Sequence, residues 1–129
     1  GSGNITIQDF VNQSSLNTTI SGSGDITLND FGGANKFTSL ISGSGNVFGN
    51  GIFDSISKSE LTITGSGNLY CFPIITPTTE LLISGSGTVA VTVIQFMDVT
   101  ISGSGNVYFK GQPGINTNIT GSGSVINSN

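Results

Sequence analysis

One three-residue word, Gly-Ser-Gly, recurs seven times in this sequence at intervals of 18 to 22 residues. The seven copies begin at Gly1, Gly22, Gly43, Gly65, Gly85, Gly103 and Gly121. An Ile followed by Ser or Thr precedes every copy after the first, and a polar residue followed by Ile, Val or Leu comes after each copy. Repeats of this length are typical of solenoids, in which a repeat buries its apolar side only against its neighbours. The sequence therefore predicts one solenoid domain over residues 1–129.

Within each repeat, apolar and polar residues alternate with a period of two. Between Leu61 and Cys71, for example, the odd-numbered positions are apolar or Gly and the even-numbered positions are mostly polar. Strict alternation is typical of a strand with one buried face. A coil of 18 to 22 residues holds about three short strands with bends, so we predict an all-β, single-stranded parallel β-helix (β-solenoid) of about seven coils. Because connections between parallel strands are right-handed by strong preference, we expect a right-handed helix.

Composition agrees with this fold and excludes several other classes of protein. The hydrophobic fraction of 35% is too high for a disordered Gly/Ser tract, and Ala and Glu, which favour helices, are scarce. Three lysines in a chain of net charge −4 cannot form the basic surface that nucleic acid requires. No apolar run approaches the ~18 residues of a membrane span. We therefore expect no nucleic-acid partner and no membrane span.

The paired glycines need a physical reason, because Gly weakens strands. One explanation is space, since an aromatic ring from the opposite wall would fit over glycines that have no side chain. Each of the first six coils carries a suitable ring, and the candidates are Phe10, Phe31, Phe53, Phe72, Phe96 and Phe109. The rival explanation is a corner that requires a positive φ. We favour the first, because the alternation continues through the motif.

The recurring pattern Ile-Ser-Gly-Ser-Gly-Asn/Asp-Val/Ile resembles the GIN domain, the head domain of auto-transporter adhesins, over essentially the whole chain. That family consists of bacterial cell-surface β-helices. Asp often follows the second Gly in the family, whereas here only Asp25 does so. Four other copies carry Asn instead, at Asn4, Asn46, Asn68 and Asn106. The resemblance implies an extracellular or cell-surface location and a non-catalytic, adhesive or structural role, with no catalytic residues to transfer.

The residues themselves give little support to a catalytic or metal site. The chain contains no His, which excludes a Ser-His-Asp triad, and glycoside cleavage needs converging carboxylates that this chain scatters over several coils. Glu60 and Glu80 stand at matching repeat positions, as do Asp9 and Asp30, and we interpret both as solvated, stacked pairs. Cys71 is the single cysteine, so it cannot form a zinc cluster. It falls in the inward register, where we expect a small buried side chain. We expect no enzyme, no cofactor and no metal.

Outward hydroxyls beside the glycines form the most suggestive surface. In stacked coils they would line up as two rows along one flat face. Such an array suits ice or a glycan, although ice binders favour Thr and these rows are mainly Ser. The alternative is a purely structural role, in which the small residues make a soluble, tightly stacked wall. The twelve candidates are Ser21, Ser23, Ser42, Ser44, Thr64, Ser66, Ser84, Ser86, Ser102, Ser104, Thr120 and Ser122.

Four Asn-X-Ser/Thr sequons suit an extracellular, glycosylated chain. They lie at Asn4, Asn12, Asn17 and Asn118.

The ends of the repeat array lead to a further expectation about partners. No polar or helical cap is visible in the sequence, and an uncapped solenoid exposes strand edges. We expect these edges to meet a second copy stacked head to tail, which would give a surface filament, or a neighbouring domain of a larger surface protein. The predicted function is thus a non-catalytic, extracellular structural or adhesive solenoid that assembles head to tail. The alternative is a carbohydrate- or ice-binding module that uses the hydroxyl rows.

Overall fold

A computed structural model describes residues 1–10, 14–31, 34–50 and 56–129, and in these residues it contains eleven strands and no helix. The strands are β1 (Ile5–Phe10), β2 (Ser15–Ile20), β3 (Ile26–Phe31), β4 (Lys36–Ile41), β5 (Asn46–Gly49), β6 (Lys58–Ile63), β7 (Asn68–Ile83), β8 (Thr88–Ile101), β9 (Asn106–Lys110), β10 (Gly114–Ile119) and β11 (Ser124–Asn127). Every strand pair among them is parallel. The all-β, parallel solenoid predicted from the repeat is confirmed.

Two parallel ladders run along the described part of the molecule. The first ladder stacks β1, β3, β5, the beginning of β7, the beginning of β8, β9 and β11. The second ladder stacks β2, β4, β6, the end of β7, the end of β8 and β10. In β7 and β8 the chain passes from one ladder to the other within a single strand, where the register shifts twice. Each coil before the last therefore contributes one segment to each ladder.

The stack has about five turns, slightly fewer than the seven coils predicted. Seven motifs do begin seven segments of the first ladder, but the outermost segments, β1 and β11, each have one neighbour. Only the coils between them are covered on both sides. The sequence also predicts a third strand in each coil. In the described residues this strand is reduced to two pairs between β7 and β8, Ile75 with Thr92 and Thr76 with Val93.

The core consists of aliphatic columns between the two ladders. Ile41, Ile63, Ile83 and Ile101 stack in register in the second ladder, and each is 0% exposed. Burying such a side chain stabilises the fold by about 1.5–3 kcal/mol. The first ladder faces them with a column of Ile, Val and Leu made of Ile26, Val47, Leu69, Val89 and Val107.

The Gly-Ser-Gly motif forms a bend between the ladders, so the strand does not continue through it as expected. The second ladder ends at Ile41, for example, and the first resumes at Asn46. None of the motif glycines has a positive φ, which among the described glycines occurs only at Gly111. Instead, a Cβ placed on Gly85 would overlap the carbonyl oxygen of Gly65 on the preceding coil, and the glycines from Gly22 to Gly123 in the other motifs repeat this arrangement.

The space-filling role predicted for the phenylalanines is therefore wrong for the rings that the structure describes. No Phe atom is among the three atoms nearest to any motif glycine. Phe109 is buried, Phe72 is half-buried, and Phe96 is 45% exposed, so these rings do not form one column over the glycines. Phe53 and the side chains of Phe10 and Phe31 lie outside the described residues. The glycines are required because backbone stacks directly on backbone at the bend.

Adding one methyl group at a motif glycine should destabilise the stack. We expect Gly85→Ala to lower the free energy of unfolding by about 3 kcal/mol, because two coils must move apart to admit the Cβ. Gly114→Ala is the matched control, since its Cβ would meet Phe96 Cδ2 at 3.6 Å and the carbonyl oxygen of Gln95 at 3.7 Å, both ordinary contacts. Urea unfolding followed by circular dichroism measures both values. Equal stabilities for the two variants would contradict the backbone-stacking explanation.

Candidate binding surfaces

The predicted hydroxyl rows are exposed, but they do not lie on a flat face. All twelve residues, from Ser21 to Ser122, are exposed. The coils that carry them stack through backbone hydrogen bonds, such as that from Ser44 N to the carbonyl oxygen of Gly22 at 3.1 Å. Because the motif is a bend, the rows follow the edge between the two ladders, which corrects the expected flat array. Their role as a ligand-binding surface stays a prediction.

Three of the four predicted glycosylation sites lie in the described residues, and all three are exposed. Asn17 lies in β2 and Asn118 in β10, whereas Asn4 precedes β1. The side-chain oxygen of Asn4 accepts a hydrogen bond from Asp25 N at 3.0 Å. Asn12 lies outside the described residues. Glycosylation at these positions stays a prediction.

A hydrogen-bonded column of amides lines the outer face of the first ladder. Both the backbone N and the side-chain Nδ2 of Asn68 donate to Oδ1 of Asn46, at 3.2 and 3.0 Å. The same two groups of Asn46 donate to Oδ1 of Asp25 at 2.8 and 2.9 Å, and Thr88 N donates to Oδ1 of Asn68 at 2.9 Å. Each amide is therefore held in one orientation by its neighbouring coils. We call this series, which Asn106 continues as the register partner of Thr88, the amide column.

An aromatic column runs beside the amide column on the same outer face. Phe48 and Tyr70 are register partners whose rings stack at 5.6 Å between centroids, with 18° between the ring planes. The next positions along the ladder are Ala90 and Tyr108. Sequence reasoning missed this column, although its signal was visible: each aromatic residue stands two positions after the Asn that follows a motif, which places both side chains on one face.

The aromatic column is bordered by a cation–π contact. Lys110 Nζ lies 4.6 Å from the centroid of the Phe72 ring. Thr92, between them in the stack, donates its hydroxyl to the carbonyl oxygen of Phe72 at 2.7 Å. The lysine charge is thus held at the edge of the face.

The outer face of the second ladder is charged. Glu60 and Glu80 are register partners, as their sequence spacing predicted. Lys58 reaches both, at 3.5 Å from Glu60 and 3.1 Å from Glu80, while Lys36 contacts Glu60 at 3.1 Å. The hydrogen bond from Lys36 lowers the pKa of Glu60, and the bond to Glu80 raises the pKa of Lys58. These carboxylates are paired and solvated, which agrees with our interpretation of them as a stacked surface pair.

A shallow cavity of about 410 Å³ lies on this face, between the acidic side chains and the neighbouring column of Thr62, Leu82 and Thr100. Asp98 borders it and accepts a hydrogen bond from Asn116 Nδ2 at 3.3 Å. Leu82, on the opposite side, is 43% exposed. The side chains of Asp9 and Asp30 lie outside the described residues. In the residues that the structure describes, no three His, Cys, Asp or Glu side chains are placed to hold a metal ion.

Cys71 lies in the core, at the inward position that its register predicted. Its side chain is 2% exposed. Burial raises the pKa of the thiol to about 12, and a hydrogen bond with the Gly49 backbone opposes this shift only in part. The thiolate form needed for nucleophilic chemistry is therefore not available near neutral pH.

Comparison with known proteins identifies the family. Residues 1–113 match the family described as "Putative auto-transporter adhesin, head GIN domain". This chain belongs to that family. The solved structure of a protein described as a putative adhesin, from Parabacteroides distasonis ATCC 8503, is similar in fold, with a TM-score of 0.77 and 22% sequence identity. The match covers 96% of this chain and 54% of the other, so the GIN domain described here spans about half of that protein. No curated protein matches it.

Membrane-spanning helices do not occur in the described parts of this GIN domain, where none is long and apolar enough.

The buried thiol gives the GIN domain a simple chemical signature. We expect Cys71 to resist a thiol reagent such as Ellman's reagent at pH 8 in the native state and to react completely in urea, because folding keeps the thiol protonated. As the pH rises above the unfolded thiol pKa, near 9, the unfolded state loses its proton first, so stability should fall. Cys71→Val, which removes the thiol and keeps an apolar side chain, is the control for this pH dependence. Rapid labelling of the native protein would contradict the buried position.

Proposed function

We propose that this GIN domain is a non-catalytic adhesive module of a bacterial cell surface. The observation that carries the proposal is the stacking of the coils in register. It places equivalent outward residues of successive repeats above one another, in columns that run along both ladders. A parallel stack sets successive rungs ~4.8 Å apart, so the same side-chain chemistry is presented repeatedly to a partner. Family membership supports the location and the adhesive role.

The side chains that could take part in catalysis support a role in binding rather than in turnover. Glu60 and Glu80 are neutralised in part by Lys58 and stand on an open face. Hydrolysis by a carboxylate pair requires one acid whose pKa is raised, whereas the pKa of Glu60 is lowered. The Cys71 thiol is buried. Outward columns, by contrast, are accessible along the stack.

Adhesion is tested by coating beads with the native domain. We expect these beads to attach to mammalian epithelial cells or extracellular matrix more than beads that carry the Gly85→Ala variant, whose stack is disturbed, or bovine serum albumin. The physical reason is that many weak contacts on adjacent rungs act together when the domain is immobilised. Attachment no greater than that of albumin on all surfaces would overturn the adhesive role.

Head-to-tail assembly is the finer form of this proposal. The outermost rungs of the described stack leave aliphatic side chains accessible: Ile5 is 53% exposed, Ile115 is 40% exposed and Ile119 is 39% exposed. Pairing of β1 from one copy with β11 of another would cover Ile5 against Val125 and continue the first ladder. A neighbouring domain of a larger surface protein is the competing partner.

Electron microscopy and light scattering distinguish the two partners. Head-to-tail assembly predicts fibres of the native domain that Ile5→Lys converts to monomers, because a charge at the joint would have to lose its hydration. Ile94→Lys is the matched control, since Ile94 is similarly exposed, at 51%, but lies on the side of the stack. Uniform monomers of the unmodified domain would contradict assembly and favour a neighbouring domain.

Binding of carbohydrate or ice through the hydroxyl rows is the alternative. Exposure of all twelve hydroxyls supports it. Some of the hydroxyls already bond within the stack, as in the 3.2 Å contact from Ser122 Oγ to Ser104 Oγ. Their position on a bend favours a narrow ligand over the plane of an ice lattice.

A further inference from the structure

We infer that the outer face of the first ladder is a binding site for a neutral glycan chain. This inference rests on the proposed adhesive role and names its partner. The site combines the amide column with the aromatic column beside it, and we call it the amide–aromatic face. Its central residues are Asn46, Phe48, Asn68, Tyr70, Asn106 and Tyr108.

Two of these amides, those of Asn46 and Asn68, are fixed in place before any ligand arrives. Asn68 is held through both its oxygen and its nitrogen, and so is Asn46. A carboxamide nitrogen has two N–H donors, and the column uses one of them in each of these residues. The second donor remains for a hydroxyl acceptor. Because the rotamer is already set, a ligand that bonds to it meets little further loss of side-chain entropy.

The rings supply apolar area next to these donors. Tyr70 is 41% exposed and is supported on one side by Phe48. On its other side the stack has Ala90, which is only 4% exposed although its register partners Tyr70 and Tyr108 point outward. The small Ala side chain is thus buried in the column between the two phenol rings. Two rungs separate these rings, about 10 Å along the stack.

Aromatic rings beside oriented amides match the chemistry of sugars. A sugar ring presents C–H groups on its faces and hydroxyls around its edge, so it needs an apolar platform and hydrogen-bond partners at the same time. Tyr and Asn supply that pair of contacts in many binding surfaces. A linear glycan can also repeat the contacts, because its units recur along the stack as the rungs do.

Charge favours a neutral glycan over an acidic glycan or a charged peptide. The described outward residues of this face include only two charged groups: Asp25, in the amide column beside Asn46, and Lys110, at the border of the aromatic column. Asp25 Oδ1 already accepts two hydrogen bonds from Asn46, and Lys110 contacts the Phe72 ring. The charged side chains of β4, β6 and the end of β7 lie on the second ladder instead. An anionic sugar would find no cation in the centre of the face.

The chain offers a built-in spectroscopic probe of this face. It has two tyrosines and no tryptophan, and Tyr70 and Tyr108 both belong to the aromatic column. Tyrosine emission of the native domain therefore reports on the amide–aromatic face alone. We expect a bound glycan to change the tyrosine emission and to protect both rings from acetylation by N-acetylimidazole.

The decisive experiment is a glycan microarray that displays neutral and acidic glycans, followed by fluorescence titration with the bound oligosaccharides. We expect the native domain to bind neutral glycans and Tyr70→Thr to bind them at least about tenfold more weakly, because the central ring is lost. Leu82→Thr is the matched control: Leu82 is 43% exposed, stands on the second ladder, and has Thr62 and Thr100 as register partners. It should bind like the native domain.

Each other outcome overturns the inference. Absence of neutral-glycan binding by the folded domain, binding of acidic glycans alone, or equal binding by Tyr70→Thr would each do so. A loss caused by Ser86→Val and not by Tyr70→Thr would move the site to the hydroxyl rows. The bead assay separates this failure from failure of the proposed function: beads that attach to cells through a domain that binds no glycan leave the adhesive role standing and point to a protein receptor.

Discussion

Direct stacking of backbone on backbone at the Gly-Ser-Gly bends sets the geometry of the whole molecule. At each bend the chain bonds to the preceding coil, as in the 3.2 Å contact from Ser86 N to the carbonyl oxygen of Gly65, and leaves no room for a Cβ. Because the bends are superposed, the strands on either side are brought into register. Every repeat position then becomes a column, buried if it points inward and exposed if it points outward. Core and binding surfaces both follow from this one constraint.

The two ladders use the same register for different purposes. On the second ladder, Lys58 lies between two carboxylates and makes a charged, solvated face. On the first ladder, bonded amides such as that of Asn68 lie beside stacked rings, and the centre carries no charge. Since the buried Ile and Val columns hold the stack together, outward positions can change without loss of the fold. The chemistry of the two outer faces is therefore separate from the core that holds the stack together.

Much of the fold could be predicted because it is local and periodic. The spacing of the motifs and the alternation around them predicted the parallel stack, the buried Ile columns and the alignment of Glu60 with Glu80. The same alternation was misleading at the motif itself. Gly85 is half-buried and Gly87 is buried, as in a strand, yet both lie in a bend. Alternating exposure therefore does not distinguish a strand from this bend. The expected Phe packing and the flat hydroxyl face both followed from interpreting the motif as a strand.

The sequence alone determined the class of fold, the length of the repeat and which side chains point inward, because these depend on residues near one another in the chain. Only the tertiary structure decided which outward residues meet. Phe48 stacks on Tyr70, and the amide of Asn46 holds that of Asn68, across a full coil of intervening chain. The direction of the missing Cβ at Gly85, along the stack and into the next backbone, is likewise a property of two coils together. Contacts between coils depend on the axial register of the stack, and no single repeat contains that information.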